Sequence, residues 1–366
     1  MRFALFYHSL ISDWNHGNAH FLRGVCSELI ASGHSVRVFE RANGWSLRHL
    51  REEHGDRAVA TFYGAYPGLS STAYEPEDLD FDSALQDADI VIVHEWNDPK
   101  LVGQIGRHRA QAAYRLLFHD THHRALSAPH ELAAYDLSGY DGVLAFGERL
   151  RRIYLERHWT TRAWTWHEAA DTRIFQPLAP PGEGKPLDLV WVGNWGDDER
   201  TSELQEFLLE PAQALSLRTR IYGVRYPADA LAQLERAGIE YAGWVANFEV
   251  PGIFATAHAT VHVPRKFYRE CLPGIPTIRM FEALACGIPL VSAPWEDRES
   301  LFEPGRDYLV ARDGAQMRAH LRDLRADRDY AQTVARHGLE TIRAKHTCAH
   351  RVRELLSLCE ELIAET

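Results

Sequence analysis

Short apolar runs alternate with amphipathic stretches through the first half of the chain. Residues 2–8 form a strand-like run, and apolar positions then recur at helical spacing from Phe21 to Ile30, with Gly33 placed to end that helix. The same alternation continues further on, with strands predicted at 35–39, 90–94, 115–118 and 142–145 and a helix at about 148–157. This order predicts a parallel, doubly wound α/β sheet, whose ligands lie beyond the carboxyl ends of its strands.

A segment rich in proline and glycine, residues 176–184, separates this region from a second one with the same alternation. Strands are predicted there at 188–192, 219–222, 260–263 and 290–292, with helical patterns between them and from Ala315 onward. A chain of 366 residues is long enough for two domains, each with its own core. The pattern therefore predicts two Rossmann-like domains.

The stretch from Gly274 to Trp295 carries the strongest candidate site. A Gly-Ile-Pro loop leads into a helix predicted to begin near Thr277 and to contain Glu282. The unpaired N–H groups and the dipole at a helix start favour an anion. Glu282 lies five residues further on, or roughly 7.5 Å at 1.5 Å per residue. Because that is about the span from a diphosphate to its ribose hydroxyls, one helix is able to hold a nucleoside diphosphate at two points.

Three motifs identify a family resemblance: WVGNWGDDER at 191–200, the stretch 274–294, and HTCAHRV at 346–352. They resemble the retaining, two-domain (GT-B) glycosyltransferases, and most closely the bacterial CgeB-like branch, named for a spore-maturation protein. The resemblance implies two doubly wound, Rossmann-like domains facing each other across a cleft. Residues 1–172 are expected on the acceptor side and residues 173–345 to bind the donor, while a C-terminal helix within 346–366 returns to the first domain.

The resemblance also implies an activity, which is transfer of a sugar from a nucleoside-diphosphate sugar (UDP-, GDP- or dTDP-linked) to an acceptor hydroxyl. Anomeric configuration is expected to be retained, and no metal or other cofactor is expected to be required. One position departs from the family pattern. Where the common retaining pattern has a glutamate eight residues before Glu282, this chain has Gly274, and the nearest earlier glutamate is Glu270.

Candidate site residues follow the predicted strands or lie in the quoted motifs. Those expected to bind the donor are Asn194, Arg200, Tyr222, Gly223, Trp244, Val245, Gly274, Ile275, Thr277, Ile278, Arg279 and Glu282. Those expected to take part in catalysis are Glu95, His119, Asp120, Arg265 and Glu270. Those expected on the acceptor side are Gly17, Asn18 and Glu168. Cations such as Arg265 and Arg279 suit the charge that develops on a leaving diphosphate.

The polar cluster His119–Arg124 has three interpretations. In the first, His119 or Asp120 contacts the donor sugar and Arg124 assists with the phosphates. In the second, the histidines and Asp120 bind a metal. In the third, the cluster is a structural centre of hydrogen bonds. It lacks a spaced partner motif such as H-E-x-x-H, which argues against the metal. No metal-ligating residue is therefore assigned.

Several candidates also have plain structural interpretations. Asn18, and Asn97 or Asp98, are placed to cap the helices that follow them. The adjacent residues Asp197 and Asp198 are expected to cap a helix, since they oppose an anion otherwise. Trp244 suits core packing as well as it suits a base pocket.

Composition narrows the function classes. The net charge is −11, which argues against nucleic acid as a partner, and no apolar run reaches the roughly 18 residues of a membrane helix. The five cysteines show no paired spacing, which indicates reduced thiols in a cytoplasm. The acceptor is left open between a glycan, a small molecule and a protein. A catalytically idle sugar-nucleotide binder or assembly protein is the main alternative, followed by a metal-dependent hydrolase using His119–His123.

Overall fold

The computed structural model describes residues 1–180, 182, 186–196 and 199–365. The chain divides into two compact units. The first contains Met1–Glu168 together with the chain from Cys348 onward, and the second is Ala169–Thr347. The domain limits inferred from the sequence, at residues 172 and 345, remain predictions.

The first unit is built on a parallel sheet. Its strands are β1 (Arg2–Phe6), β2 (Ser35–Arg41), β3 (Thr72–Tyr74), β4 (Ile90–His94), β5 (Arg115–Asp120), β6 (Gly142–Ala145) and β7 (Ala163–Thr165). Their order among the described residues is β3-β2-β1-β4-β5-β6-β7. The helices between them are α1 (Ala19–Ala31), α2 (Trp45–Ala65), α3 (Phe81–Leu85), α4 (Pro99–Arg109), α5 (Arg124–Ser127), α6 (Pro129–Leu132) and α7 (Glu148–Glu156).

The second unit repeats this plan. Its strands are β8 (Leu187–Val192), β9 (Thr219–Tyr222), β10 (Glu240–Tyr241), β11 (Ala257–His262), β12 (Leu290–Ser292) and β13 (Leu309–Val310), in the order β10-β9-β8-β11-β12-β13 within the described chain. Its α-helices are α8 (Thr201–Leu204), α9 (Glu210–Ala214), α10 (Ala228–Arg236), α11 (Val250–Ala255), α12 (Lys266–Glu270), α13 (Ile278–Ala285), α14 (Gly314–Ala326) and α15 (Arg328–Lys345). One π-helical turn, Gln205–Leu209, joins α8 to α9, and a 3₁₀ turn, Asn247–Glu249, precedes α11.

The last helix, α16 (Cys348–Ala364), belongs to the first unit and packs on α1 and β5. The indole N–H of Trp166, next to β7, donates to the carbonyl of Arg351 in α16 at 2.9 Å. The predicted fold class is confirmed, including the return of the C-terminal helix. The short strands β3, β10 and β13 and the long helix α2 were not predicted from the sequence.

The apolar composition of the strands explains why both sheets are parallel. All five residues of β4 are buried, as expected when helices cover both faces of a sheet. Gly33 adopts a φ of +83° directly after α1, where an L side chain is disfavoured, so it ends this helix as predicted.

Each sheet has one point at which the strand order reverses. It lies between β1 and β4 in the first unit and between β8 and β11 in the second. Loops leave such neighbouring strands in opposite directions, which opens a crevice at their carboxyl ends. Ligand-binding residues are therefore expected near these two reversal points.

Candidate functional site

The start of helix α13 is organised by a histidine that the sequence reading did not single out. His262 is the last residue of β11, and its Nε2 lies 3.1 Å from the hydroxyl of Thr277. Its Nδ1 lies 2.9 Å from the hydroxyl of Ser292 in β12. Burial lowers the pKa of His262 to about 3, so the ring is neutral. The available signal was a histidine at the carboxyl end of the predicted strand before Arg265.

Thr277 occupies the N-cap position of α13, as predicted, with extended backbone at φ −79° and ψ 159°. Its hydroxyl is directed to His262 instead of to the helix N–H groups. The first turn of α13 therefore keeps donors for an incoming ligand, and the helix dipole favours an anion at that end.

Glu282 in the middle of α13 is fully buried. One carboxylate oxygen accepts a hydrogen bond from the side-chain amide of Asn247 at 2.8 Å, and the other is paired with Arg279. The carboxylate predicted to hold ribose hydroxyls is thus anchored to two neighbours. A carboxylate offers about four acceptor positions, so further hydrogen bonds from hydroxyls are compatible with these contacts. Asn247 was not identified from the sequence.

The loops that follow β8 and β9 are held against each other. The side-chain oxygen of Asn194 accepts from the backbone N–H of Val224 at 2.9 Å. The hydroxyl of Tyr226 donates to the carbonyl of Gly193 at 2.8 Å. A Cβ on Gly223 would collide with that same carbonyl, so glycine is required for this close approach.

The next predicted loop joins the same edge of the sheet. The N–H of Gly223 donates to the carbonyl of Gly243 at 2.8 Å, next to Trp244 and Val245. Both of those side chains are half-buried, so Trp244 is not a core residue. Tyr222 ends β9 and is buried. The sequence-predicted donor residues of these three loops are therefore neighbours in the second unit.

Arg200 links the two strands at the reversal point of the second sheet. Its guanidinium donates to the carbonyls of Asn194 and Trp195 after β8, and to that of Val263 after β11, the last at 2.7 Å. Burial, together with nearby Arg265, lowers the pKa of Arg200 to about 9. Arg200 was predicted to contact phosphate, but most of its donors are engaged with the backbone. The predicted helix caps Asp197 and Asp198 lie outside the described residues.

Three guanidinium groups gather around this edge. Arg265 and Arg279 both act electrostatically on Arg200 and disfavour its charge. Arg265 precedes α12 and lies 3.5 Å from Glu199, while Arg279 pairs with Glu282. An anion placed among three like charges is stabilised by all of them.

Glu270, the predicted catalytic carboxylate of this unit, lies at the end of α12. It pairs with Lys266 at 3.9 Å and with Arg269 at 3.1 Å, and 44% of its side chain is exposed. The structure therefore places it on the surface of α12, in ordinary ion pairs.

Gly274 has a backbone conformation that explains the departure from the family pattern. Its φ is +96°, and a Cβ there would lie 3.0 Å from Cγ of Glu299. Its N–H donates to the carbonyl of Glu296 at 2.8 Å. A glutamate at this position would be strained and crowded. The following candidates Ile275 and Ile278 are buried, so only their backbone groups are available to a ligand.

His119 and Asp120 are the last two residues of β5 in the first unit, so the strand extends further than predicted. His119 is 1% exposed, and its ring contacts those of His94 and Trp166 at centroid distances of 5.3 and 4.9 Å. Neither ring nitrogen has a hydrogen-bond partner among the described residues. Burial lowers the pKa of His119 to about 3.

Asp120 is engaged on both oxygens. It accepts from the N–H of His122 at 2.9 Å and from the hydroxyl of Tyr154 at 2.7 Å. Burial raises its pKa, and these hydrogen bonds oppose the rise. Asp120 is thus held in one orientation by these two hydrogen bonds.

Glu95 follows β4 and is fully buried in an ion pair with Arg124. The guanidinium of Arg124 also lies 4.0 Å from the ring centroid of Trp96. Burial and the neighbouring Asp120 raise the pKa of Glu95, while Arg124 opposes the rise. The other oxygen of Glu95 has no hydrogen-bond partner in the described part of the chain. Arg124, predicted to assist with phosphates, serves as the partner of Glu95.

Among the acceptor-side candidates, Asn18 does not cap a helix with its side chain, contrary to its structural interpretation. Asn18 occupies the N-cap position of α1, but its side-chain amide donates to the hydroxyl of Thr121 instead of capping the helix. That hydroxyl lies 3.1 Å from Nε2 of His94, so Asn18 joins the polar cluster after β5. Gly17 lies in the turn before α1, and Glu168 is buried at the end of the first unit.

The two predicted caps of α4 have different outcomes. Asp98 caps the helix, accepting from the N–H of Lys100 at 2.8 Å, as predicted. Asn97 instead donates to the carbonyls of Phe6 and His94, both at 2.8 Å. It therefore ties the ends of β1 and β4 together.

The described residues contain neither a metal-binding cluster nor a membrane-spanning helix. No group of three or more His, Cys, Asp or Glu side chains in that part of the chain is arranged to hold a metal ion. No described helix combines the length and the apolar character needed to cross a membrane.

Known proteins are similar to this chain in fold over its whole length and in sequence over part of it. The profile of a family described as glycosyl transferase-like matches residues 200–357. No curated protein matches the chain by sequence. Among solved structures, sucrose-phosphate synthase from Thermosynechococcus elongatus is similar over 100% of both chains, with 14% identity and a TM-score of 0.66.

Two further structures are similar over almost their whole length. HepE from Anabaena, in complex with UDP and glucose, is 12% identical with a TM-score of 0.68, covering 99% of this chain and 100% of HepE. An alpha-glucosyltransferase in complex with UDP and a 13-mer DNA is 12% identical with a TM-score of 0.66, covering 98% of this chain and 99% of that one. The chain thus has the GT-B fold of two-domain glycosyltransferases, and from residue 200 to 357 its sequence is similar to the glycosyl transferase-like family.

Proposed function

We propose that this protein is a glycosyltransferase that moves a sugar from a nucleoside-diphosphate sugar to an acceptor hydroxyl. The observation that carries the proposal is the gathering of Arg200, Arg265 and Arg279 around the end of β11. Arg200 donates to the carbonyl of Val263, Arg265 follows two residues later, and Arg279 lies in the first turn of α13, whose N-cap Thr277 contacts His262 at the end of β11. Glu199 and Glu282 balance part of the positive charge of this cluster. A diphosphate supplies further negative charge, and a helix start supplies N–H donors to its oxygens. The match over residues 200–357 and the UDP complexes of proteins with the same fold support this assignment.

In this proposal the second unit binds the donor. The diphosphate lies against the first turn of α13 and Arg279, and Glu282 accepts hydrogen bonds from the ribose. Backbone groups near Val245 hold the base. Arg265 and Arg279 stabilise the negative charge that develops on the leaving phosphate in the transition state. Such electrostatic stabilisation is usually the largest single contribution to catalysis.

The first unit supplies the groups near the acceptor. His119 is the strongest candidate there, because it is buried and neither ring nitrogen has a hydrogen-bond partner within the described structure. Asp120 and Glu95 orient the surrounding side chains. We further propose retention of configuration without a metal. An oxygen of the leaving phosphate then takes the acceptor's proton, so that no protein base is required.

We also propose membership of the CgeB-like branch, on the motifs at 191–200 and 346–352. The proposed donors are UDP-, GDP- or dTDP-sugars, and the similar structures with bound UDP favour UDP as the first to test.

The test begins with nucleotide binding. Thermal unfolding is followed with UDP, GDP, ADP and dTDP, each with and without EDTA. A ligand at one hundred times its dissociation constant stabilises the folded state by about 2.7 kcal/mol. One diphosphate is expected to shift the unfolding temperature in an EDTA-insensitive way. Arg279→Gln is expected to weaken that shift, whereas Arg322→Gln, which changes an exposed side chain of α14, is expected to leave it unchanged.

Turnover is then measured with the matching nucleotide sugars by NMR, which also reports the anomeric configuration of the product. Binding without transfer or donor hydrolysis would identify the idle sugar-nucleotide binder. Absence of any nucleotide-dependent shift would overturn the proposal, and an EDTA-sensitive baseline would favour the metal-dependent alternative.

A further inference from the structure

A cavity of about 160 Å³ opens at the carboxyl edge of the first sheet. The ends of four adjacent strands contribute to it, in the order β3, β2, β1 and β4. Tyr74 and Arg41 are the last residues of β3 and β2, and they are paired in register. The cavity therefore spans the reversal point between β1 and β4, where doubly wound sheets bind ligands. None of the predicted acceptor residues Gly17, Asn18 and Glu168 lines it.

Two tryptophans form its walls. All ten tryptophans lie in the described residues, and only Trp45 and Trp96 stay more than a third exposed, at 39% each. Both line this cavity. Exposing a large aromatic ring to water is unfavourable, so two such rings at one cavity indicate a surface that a ligand covers.

The floor of the cavity is polar and rigid. The hydroxyl of Tyr74 donates to the side-chain oxygen of Asn97 at 3.2 Å, and the amide of Asn97 is fixed by two backbone carbonyls. His8 lines the same floor, and burial lowers its pKa to about 4, so it is a neutral donor and acceptor. Hydroxyl groups of a ligand find fixed partners there.

The charges at the rim are unequal. Asp98 caps helix α4, and one of its carboxylate oxygens accepts a hydrogen bond from the N–H of Lys100 at 2.8 Å. Arg41 is exposed, and its guanidinium has no hydrogen-bond or ion-pair partner among the described residues. Arginine binds carboxylate and phosphate through two parallel hydrogen bonds, so an unpaired arginine at a cavity rim suits an anionic group.

We propose that this cavity binds a sugar ring that carries an anionic substituent, as part of the acceptor. The ring's C–H face suits the tryptophans, its hydroxyls suit the floor, and the anionic group suits Arg41. The volume favours one ring, because pockets for larger organic ligands start at about 300 Å³. The acceptor role of this ligand rests on the proposed glycosyltransferase function, whereas the binding of the sugar does not.

Three probes test the binding in the absence of nucleotide: glucose, glucuronate and glucose 6-phosphate. Titrations are followed by tryptophan fluorescence and by saturation-transfer NMR. The two anionic probes are expected to bind about tenfold more tightly than glucose, because a charge-assisted contact is roughly twice as strong as a neutral one. The tighter of the two identifies the anion as a carboxylate or a phosphate.

Variants locate the site. Arg41→Gln is expected to reduce the affinity for both anionic probes to that for glucose, and Trp45→Ala to weaken all three. Trp45→Phe keeps a ring and is expected to restore part of the affinity, which separates lost stacking from misfolding. Matched controls on α2 outside the cavity, Arg48→Gln and Tyr63→Ala, are expected to bind all probes as the wild type does.

Equal affinity for the three probes, or unchanged binding by Arg41→Gln, would overturn the proposal. So would absence of saccharide binding together with binding of thymidine 5′-monophosphate, which would indicate a nucleobase instead of a sugar. The thermal shift with UDP is recorded for the same variants. In the wild type, absence of saccharide binding with an intact UDP shift refutes this inference alone, whereas absence of the UDP shift refutes the proposed function and leaves the saccharide result to stand. In the variants, loss of saccharide binding with an intact UDP shift supports the inference.

Discussion

Asn247 holds Glu282 in place: its side-chain amide lies 2.8 Å from a carboxylate oxygen of that residue, and both side chains are buried. Removing the amide leaves a buried acceptor without this donor, which costs about 1–3 kcal/mol. We expect Asn247→Leu, which is similar in size, to lower the free energy of unfolding by that amount in urea titrations.

A double-mutant cycle provides the control for this pair. In a Glu282→Gln background, Asn247→Leu is expected to cost less, since a neutral amide is less expensive to leave unpaired than a carboxylate. If the two changes were additive, the 2.8 Å contact would have no energetic role.

The pH dependence of stability depends in part on His119. Its folded-state pKa of about 3 lies below the unfolded value of 6.5, so the unfolded chain takes up the proton first as the pH falls. Stability is therefore lost from pH 6.5 downward, and this residue contributes a loss of about 1.4 kcal/mol between pH 7.5 and 5.5.

We expect His119→Phe to remove that share of the pH dependence, because phenylalanine does not titrate and suits the aromatic contacts of this position. Unfolding titrations at pH 7.5 and 5.5 measure the difference for both proteins. Transfer activity is expected to fall sharply in the variant although its stability at neutral pH is retained. An unchanged pH dependence would show that His119 is protonated or exposed in the folded protein.

Gly274 and Gly305 make a matched comparison. Both have positive φ, +96° and +84°, but only Gly274 has neighbours that a Cβ would crowd. We expect Gly305→Ala to cost about 1–2 kcal/mol from backbone strain alone. Gly274→Ala is expected to cost more, because Glu299 must also move. Thermal unfolding of the two variants measures the two losses of stability. Equal losses would show that Glu299 moves aside at no energetic cost.

Arg23 in α1 holds the loop that follows β1. It is fully buried, donates to the carbonyls of Leu10 and Ile11 at 2.7 Å each, and pairs with Asp13 at 2.8 Å. Replacing it with methionine removes the cation from an ion pair whose carboxylate side chain is only 4% exposed, and breaking a buried pair in this way costs about 3–5 kcal/mol.

We expect Arg23→Met to lower the free energy of unfolding by that amount in urea titrations. Arg48→Gln, which replaces an exposed arginine on α2, is expected to change this free energy by less than about 0.5 kcal/mol. Restoring neutrality with Asp13→Asn in the Arg23→Met protein is expected to recover part of the loss. A small effect of Arg23→Met would show that water enters this loop.

Much of the fold follows from local features of the chain. Apolar runs such as 90–94 and 187–192 predict buried parallel strands wherever they occur, because the pattern depends only on neighbours in sequence. The start of α13 at Thr277 and the end of α1 before Gly33 were predicted for the same reason. Short edge strands such as β3 and β13 were missed, since two or three residues carry too little pattern.

The contacts between candidate residues were decided by the tertiary structure. Glu282 and Asn247 are 35 residues apart, and Asn18 and Thr121 are 103 apart. Which side chains meet depends on the strand order of each sheet, and that order results from packing over the whole domain.

The sequence by itself thus determined two doubly wound sheets and an anion-favouring helix start at Thr277, because hydrophobic period, turn glycines and helix caps act over a few residues. Only the tertiary structure decided that His262 orients Thr277, that Arg200 is bound to backbone carbonyls, and that Trp45 and Trp96 share one cavity. These arrangements depend on the alignment of strand ends that are distant in sequence, and hydrogen-bond partners and cavities exist only once those strands are side by side.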